Sequence, residues 1–251
     1  MHGPVDAVYV HIPFCVKKCG YCDFYSLPLR SCDKGAAEDY TAHVIRESAH
    51  WPGNRYDTVY FGGGTPSLLT PGQIGKILAA LAPLPGAEIT LEANPGTVDL
   101  QSLKDYRAAG VNRLSLGIQS LQDRFLKLLG RIHSAADALE AYESAQKAGY
   151  ENISLDMMFA LPGQTLDELD AELERFFALS PAHLSIYALT WEEGTPFWEK
   201  RREGLLRPVE NESEAAMFER IMEKAKACGY QHYEISNFAR GRKISRHNIK
   251  Y

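Results

Sequence analysis

Three cysteines near the N-terminus have the spacing of an iron–sulfur ligand set. Cys15, Cys19 and Cys22 form a C-x3-C-x2-C pattern in the run HIPFCVKKCGYCDF, and no fourth cysteine lies close by. A structural zinc site uses four ligands, and ferredoxin-type clusters use four cysteines in other spacings. Three thiolates on a [4Fe–4S] cubane leave one iron without a protein ligand. The pattern therefore predicts a cluster whose open iron binds a small molecule, with a zinc loop or buried thiols as the alternative.

The chain around and after the cysteines alternates between apolar runs and amphipathic stretches. The apolar runs are typical of parallel strands covered on both faces, and they occupy 7–12, 58–61, 89–92, 113–118, 153–159, 183–189 and 233–238. The amphipathic stretches predict helices at 74–81, 100–109, 135–148, 166–179 and 213–228. Asp99 and Thr165 are candidate N-caps, and Gly110, Gly149 and Gly229 follow predicted helix ends. This alternation predicts βαβ units around a parallel sheet.

About six such units fit before residue 212, which favours an open, partial (β/α)6 barrel of the TIM type over a closed eight-stranded one. A doubly wound sheet has the same signature. In both folds ligands lie beyond the carboxyl ends of the strands. The polar and glycine-rich segments fall there: the cysteines follow the first strand, Gly62–Thr65 follow the second, Glu92 ends the third and Gln119 follows the fourth.

Composition restricts the class of protein. The 251 residues are 45% hydrophobic and carry a net charge of −5, so a nucleic-acid partner is not expected. No apolar stretch is long enough to span a bilayer, and the N-terminus has no secretory pattern. An odd number of cysteines, three of them clustered, indicates a reducing compartment, and we expect a cytoplasmic protein. Cys32 and Cys228 are interpreted as thiols without a ligand role.

Beyond the cysteine loop, the sequence resembles the radical-SAM superfamily, and more narrowly the coproporphyrinogen dehydrogenase (HemN)/heme chaperone (HemW) family. The resemblance covers nearly the whole chain. It rests on the motifs YVHIPFC, CGYCDF, FGGGTPS, LEANP, GIQS, LGRIHS, LDMMFALPGQT, LSIYALT, YEISNFA and SRHN. It implies a [4Fe–4S] cluster held by the three cysteines and S-adenosylmethionine (SAM) bound at the open iron, where one electron releases a 5′-deoxyadenosyl radical.

The resemblance also implies a set of SAM-contacting residues. They are Tyr9, Tyr21, Gly62, Gly63, Gly64, Thr65, Glu92, Gln119, Arg131, Asp156 and Ala188. Tyr21 would pack on the adenine, the glycines would let the backbone approach the methionine end, the carboxylates suit ribose hydroxyls, and the arginine suits the methionine carboxylate. The alternatives are a core aromatic for Tyr21, a glycine-rich turn without a ligand for Gly62–Gly64, and surface or structural salt bridges for the charged residues.

Two positions distinguish the branches of this family. The dehydrogenase branch resembles C-x3-C-x2-C-x-C, and Phe24 stands here at the position of the fourth cysteine. The sequence ends in SRHNIKY, which looks like the heme-binding HNxxY(W) motif of the chaperone branch. Both features favour a heme chaperone over the alternative, an oxygen-independent coproporphyrinogen III oxidase that decarboxylates propionates. Whether the chain is an enzyme at all is left open.

The chemistry of the C-terminal tail permits heme binding. His247 could be an axial iron ligand, and five basic residues could pair with the propionates: Arg240, Arg242, Lys243, Arg246 and Lys250. Tyr233, Phe238 and Tyr251 could cover the ring. A solvated basic hairpin with an exposed histidine is the alternative. We expect residues 1–211 to form the core barrel, and residues 212–251 to begin a C-terminal domain, which continues with a tryptophan in the family.

The resemblance implies heme or porphyrin, acceptor hemoproteins and an electron donor such as flavodoxin or ferredoxin as partners. The basic stretch 240–250 is compatible with a peripheral membrane contact but is too short to establish one.

Overall fold

The apolar runs of the sequence form one sheet. The computed structural model describes residues 6–29, 35–51, 53 and 55–250. Its strands are β1 (Ala7–Ile12), β2 (Phe14–Cys15), β3 (Leu27–Pro28), β4 (Thr58–Gly63), β5 (Glu88–Ala93), β6 (Arg113–Gln119), β7 (Ile153–Phe159), β8 (His183–Ala188), β9 (Gln231–His232) and β10 (Asn237–Ala239). Tyr251 and Cys32 lie outside the described residues.

The strand order identifies the type of α/β fold. The main sheet has the order β1-β4-β5-β6-β7-β8-β10-β9, and its first six strands are parallel. These six strands follow one another in chain order without a reversal, whereas a doubly wound sheet reverses its order at a switch point. The expected partial (β/α)6 barrel is therefore confirmed. The small β2–β3 pair lies beside the main sheet and carries the first cysteine.

Helices connect the parallel strands. They are α1 (Ala36–Ser48), α2 (Pro71–Leu81), α3 (Leu100–Ala108), α4 (Asp123–Leu129), α5 (Ala135–Lys147), α6 (Leu166–Ala178), α7 (Pro196–Arg202) and α8 (Asn211–Ala227). Asp99 and Thr165 cap α3 and α6 through capping boxes, as predicted. Gly110 and Gly149 follow α3 and α5 with φ of 115° and 89°, conformations in which a Cβ would be strained.

The last predicted strand differs from the structure. The apolar pattern predicted one strand over 233–238, but residues 233–236 form a bend between β9 and β10. β10 pairs antiparallel with β8, and α8 packs on α6, so residues after 211 extend the same sheet and its helical layer. The domain boundary at 211/212 stays a prediction. None of the helices in the described ranges is long and apolar enough to cross a membrane.

Candidate functional site

The cysteine loop begins at the end of β2 and is anchored at both sides. The Leu29 N–H donates to the Cys15 carbonyl at 2.7 Å, which closes the loop through the β2–β3 pair. In its middle, the Gly20 N–H donates to the Leu129 carbonyl at 3.2 Å, and the Gly20 carbonyl accepts from the Phe197 N–H at 2.9 Å. A Cβ at Gly20 would lie 2.9 Å from the Phe197 ring, so only glycine fits. The helices α4 and α7 thus fix the loop.

The three thiols have the environment that a cluster needs. Cys15, Cys19 and Cys22 are free and line one cavity. The Thr65 hydroxyl donates to Cys15 Sγ at 3.6 Å, and Arg131 Nη1 donates to Cys19 Sγ at 3.7 Å, contacts that stabilise thiolates. Burial raises the pKa of the Cys22 thiol, and the neighbouring Cys19 and Cys15 raise it further. Such mutual repulsion is what cationic iron relieves.

Within the described ranges, no group of three His, Cys, Asp or Glu side chains is placed to hold one metal ion. The three cysteines lie together on the wall of one cavity. The donor chemistry and the shared cavity fit a [4Fe–4S] cluster with one open iron.

The glycine loop ends β4 and packs directly on the base of the cysteine loop. A Cβ at Gly62 would lie 2.7 Å from the Tyr9 ring, and one at Gly64 would lie 2.6 Å from the Phe14 carbonyl oxygen. Gly63 has φ +111°, and its Cβ would lie 2.5 Å from the His11 ring. The glycines are therefore required first by packing against β1 and β2.

This packing revises the reason for the glycines that the sequence suggested. The N–H groups of the loop already have protein partners: Gly63 donates to Glu92 Oε2 at 3.2 Å, Gly64 to the Ile12 carbonyl at 2.8 Å and Thr65 to the Phe14 carbonyl at 2.7 Å. The Thr65 hydroxyl is engaged as well, through its hydrogen bond to Cys15 Sγ at 3.6 Å.

Two carboxyl groups lie on neighbouring parts of the barrel interior. Glu92, on β5, accepts the Tyr60 hydroxyl at 2.8 Å on Oε1, and burial raises its pKa to about 7. Asp156, on β7, accepts Ser115 at 2.9 Å and Ser154 at 3.2 Å, and burial raises its pKa to about 6. Buried carboxyls with raised pKa values are typical of ligand sites.

Arg131 and Gln119 show the strain and the missing contacts expected of a ligand site. Arg131 donates to the Gly117 carbonyl at 2.5 Å, while its buried Nε has no hydrogen-bond partner among the residues that the structure describes. Gln119 adopts φ +68° at an irregularity between β6 and β7, and its Oε1 accepts the Tyr187 hydroxyl at 2.7 Å. An orphaned buried donor and a strained backbone are both features that a bound molecule can explain.

Most of the predicted site residues line one cavity of about 550 Å³. They are Cys15, Cys19, Tyr21, Cys22, Gly63, Gly64, Thr65, Glu92, Gln119, Arg131, Asp156 and Ala188. Tyr21 packs edge-on against Phe197 at 6.2 Å between ring centroids. Gly62, Tyr9 and His247 do not line this cavity; Tyr9 stacks on Tyr60 at 5.9 Å and is 44% exposed. The volume of the cavity and the polar groups that line it fit SAM beside the cluster.

The cavity also contains residues that the sequence did not predict, near the amino end of β6. Alternate residues of β6 point inward, so Arg113 and Ser115 line the cavity with Gly117 and Gln119. Arg113 is fully buried, and within the described part of the chain its Nε has no hydrogen-bond partner. The period-two alternation of RLSLGIQ was the available signal, but the run was interpreted as continuously apolar.

His247 lies apart from the other predicted residues, at the amino ends of the strands. Its Nδ1 lies 3.0 Å from the hydroxyl of Thr58, the first residue of β4, and its ring stacks on Tyr60 at 5.0 Å. The residue is buried, and only 2% of its surface is exposed to solvent. Its backbone N–H donates to Oε1 of Glu88, the first residue of β5, at 3.2 Å. In this conformation an imidazole bond to heme iron is blocked.

The basic residues of the tail are also engaged. Arg246 pairs with Asp57 at 3.0 Å, and Lys250 pairs with Asp57 and with Asp6. Arg240 stacks on the Tyr230 ring at 4.5 Å. Phe238 is fully buried in β10 and does not present its ring to a ligand. The tail is docked on the barrel and its histidine is buried, whereas the alternative to a heme site expected a solvated hairpin with an exposed histidine.

Known proteins match this chain over most of its length. The Radical SAM superfamily model matches residues 9–176. The chain belongs to the radical SAM superfamily. Accordingly it uses a [4Fe–4S] cluster and SAM. It is 40% identical to the heme chaperone HemW of Escherichia coli (strain K12) and 38% identical to HemW of Lactococcus lactis subsp. lactis (strain IL1403), over 99% and 98% of this chain. It spans 66% and 65% of those relatives.

A solved radical SAM structure confirms the architecture. Coproporphyrinogen III oxidase (HemN) from Escherichia coli superposes with a TM-score of 0.83 at 26% identity, covering 94% of this chain and 56% of that one. The family resemblance derived from the motifs is thus confirmed.

Proposed function

We propose that this radical SAM protein is a heme chaperone, which holds heme and delivers it to acceptor hemoproteins. The single observation that carries the proposal is the similarity of nearly all of this chain to HemW, at 38% and 40% identity. Phe24 supports the proposal, because it occupies the position at which the C-x3-C-x2-C-x-C pattern of the dehydrogenase branch has its fourth cysteine. Phe24 is 63% exposed and lines the mouth of the cavity.

In this proposal the cavity residues hold the cluster and SAM. Cys15, Cys19 and Cys22 ligate three irons, and the Arg131 guanidinium, whose Nε is unpaired among the described residues, binds the methionine carboxylate. Glu92 and Asp156 accept the hydroxyl groups of the ribose, and Gln119 and Ala188 border the nucleoside. When bound, the cluster supplies one electron to SAM. The protein holds both in one cavity, which opens to the surface at the cysteine loop.

Heme is the cargo, and His247 is its proposed axial ligand. A donor such as flavodoxin or ferredoxin supplies electrons at the exposed cysteine loop, where Lys17 and Lys18 lie on the surface. The proposed location is the cytoplasm.

One observation favours a second function. The fold superposes on HemN with a TM-score of 0.83, and the cavity continues below the SAM residues to the buried Arg113. A guanidinium there suits a substrate carboxylate, as an oxygen-independent coproporphyrinogen III oxidase requires.

An anaerobic hemin titration of the reconstituted protein tests the proposal. Wild type is compared with His247→Ala and with His43→Ala, which removes an exposed histidine on α1 and controls for adventitious ligation. A saturable Soret shift that is lost only in His247→Ala is expected. Equal hemin affinity in all three proteins, together with turnover of coproporphyrinogen, would replace the chaperone by the oxidase.

A further inference from the structure

The C-terminal tail, defined here as residues 245–250, closes the lower end of the SAM cavity. Ser245 and His247 are buried, and Asn248 lines the same cavity as the cysteines. The tail is held by backbone contacts to Glu88 and Tyr233 and by ion pairs of Arg246 and Lys250. It is therefore docked on the barrel, and the proposed heme ligand is inside the docked surface.

One chain of side-chain contacts joins the tail to the glycine loop. The His247 ring stacks on the Tyr60 ring at 5.0 Å, and the Tyr60 hydroxyl donates to Glu92 Oε1 at 2.8 Å. The other oxygen of Glu92 accepts the Gly63 N–H at 3.2 Å. Along this path through the described residues, Tyr60 lies between the tail and the proposed SAM carboxylate Glu92.

A second chain joins the tail to the other carboxylate. The Ser245 N–H donates to the Tyr233 hydroxyl at 3.2 Å, and that hydroxyl lies 2.7 Å from His183 Nε2. His183 Nδ1 lies 2.8 Å from the Ser154 hydroxyl, which donates to Asp156 at 3.2 Å. Both carboxylates proposed to contact SAM are therefore connected to the tail by continuous polar or stacked contacts.

We propose that the tail is a latch: His247 reaches heme only when the tail undocks, and SAM held by Glu92 and Asp156 favours the docked state. This inference rests on the proposed heme function. Because an undocked tail removes the support of Tyr60 and Tyr233, heme weakens SAM binding, and linkage requires that SAM weakens heme binding by the same factor. SAM binding then promotes release of heme to an acceptor.

Tyr60 is the positioning residue of this latch, and its hydroxyl can be removed without its ring. SAM affinity is measured by equilibrium dialysis with and without saturating hemin. In wild type we expect hemin to weaken SAM affinity at least about fivefold, the lower end of typical coupling between sites. Tyr60→Phe brings this ratio close to one. Tyr230→Phe, which removes a buried hydroxyl bonded to the Pro181 carbonyl, is the matched control and keeps the ratio.

Lys250→Ala separates the latch from a direct role of Lys250 in heme binding. Lys250 fastens the tail through Asp6 and Asp57, so its removal favours undocking. The latch predicts tighter hemin binding and weaker SAM binding in this variant. A lysine that pairs with a heme propionate predicts the opposite, weaker hemin binding, and this result would overturn the latch. Lys226→Ala removes an exposed lysine on α8 and is the control.

Hydrogen exchange of the tail measures docking directly. The Ser245 and His247 amides have protein acceptors, so they exchange slowly when docked. We expect SAM to slow exchange in a tail peptide and hemin to accelerate it. If hemin binding depends on His247 while exchange is unchanged by either ligand, the latch is wrong and the chaperone proposal stands. If His247→Ala binds hemin as wild type does, both fall.

Discussion

Replacing Gly63 by alanine tests the glycine loop, because the structure shows what the added methyl group meets. The backbone at Gly63 has φ +111°, and the Cβ would lie 2.5 Å and 2.6 Å from two atoms of the His11 ring. The strained conformation costs about 1–3 kcal/mol. His11 must move, which sacrifices its bond from Nε2 to the Tyr25 carbonyl at 2.9 Å, about 0.5–1.5 kcal/mol.

These terms sum to about 1.5–4.5 kcal/mol. The free loop relieves the strain by shifting, but SAM needs the native loop, so the cost appears in the SAM dissociation constant. At about 1.4 kcal/mol per factor of ten, SAM affinity should fall roughly 10- to 1,600-fold.

Equilibrium dialysis of SAM against the anaerobically reconstituted protein measures this loss, with iron and sulfide content as the check that the cluster is retained. Gly75→Ala is the matched control. Gly75 lies on α2, and a Cβ there would lie 3.7 Å from the Cβ of Ala109, an ordinary van der Waals contact. Combining Gly63→Ala with His11→Ala should recover the part due to the clash. A SAM affinity of Gly63→Ala within about twofold of wild type would refute the reasoning.

The remaining predictions concern the cluster, the pH dependence of SAM binding and stability. Cys19→Ala should lose the broad visible absorption of the cluster after reconstitution, whereas Cys228→Ala should keep it; equal iron and sulfide in both variants would contradict the ligand assignment. SAM affinity should weaken as pH falls from about 8 to about 5, because the buried carboxyls of Glu92 and Asp156 have pKa values of about 7 and about 6 and lose their charge over this range; a flat profile would exclude them. Burial lowers the pKa of His133 from 6.5 to about 4 in the folded protein. As pH falls, His133 is therefore protonated in the unfolded chain at a higher pH than in the folded protein. His133 should therefore contribute a loss of about 2 kcal/mol of stability between pH 7 and pH 5, measured as the difference between wild type and His133→Gln in urea unfolding.

The sequence predicted the barrel because its signals are local. Apolar runs and capped helices such as α3 and α6 are determined by neighbouring residues, and their bounds were nearly correct. The short helices α4 and α7 were missed because seven residues show too little periodicity. The β9–β10 bend was missed because β10 forms only by pairing with β8.

The site divides in the same way. Motifs located the upper cavity, where twelve predicted residues converge. Arg113, at the start of β6, escaped because its strand was interpreted as apolar. The burial of His247 could not be predicted, because it depends on contacts with Thr58 and Glu88, about 160–190 residues earlier in the chain.

The most direct test of the central claim is the electron paramagnetic resonance spectrum of the reduced, reconstituted protein with and without SAM. Binding of the SAM amino and carboxylate groups to the open iron should change the spectrum of the cluster, and Gly63→Ala should need far more SAM for the same change. A four-iron cluster whose spectrum is unaltered at saturating SAM would contradict the account.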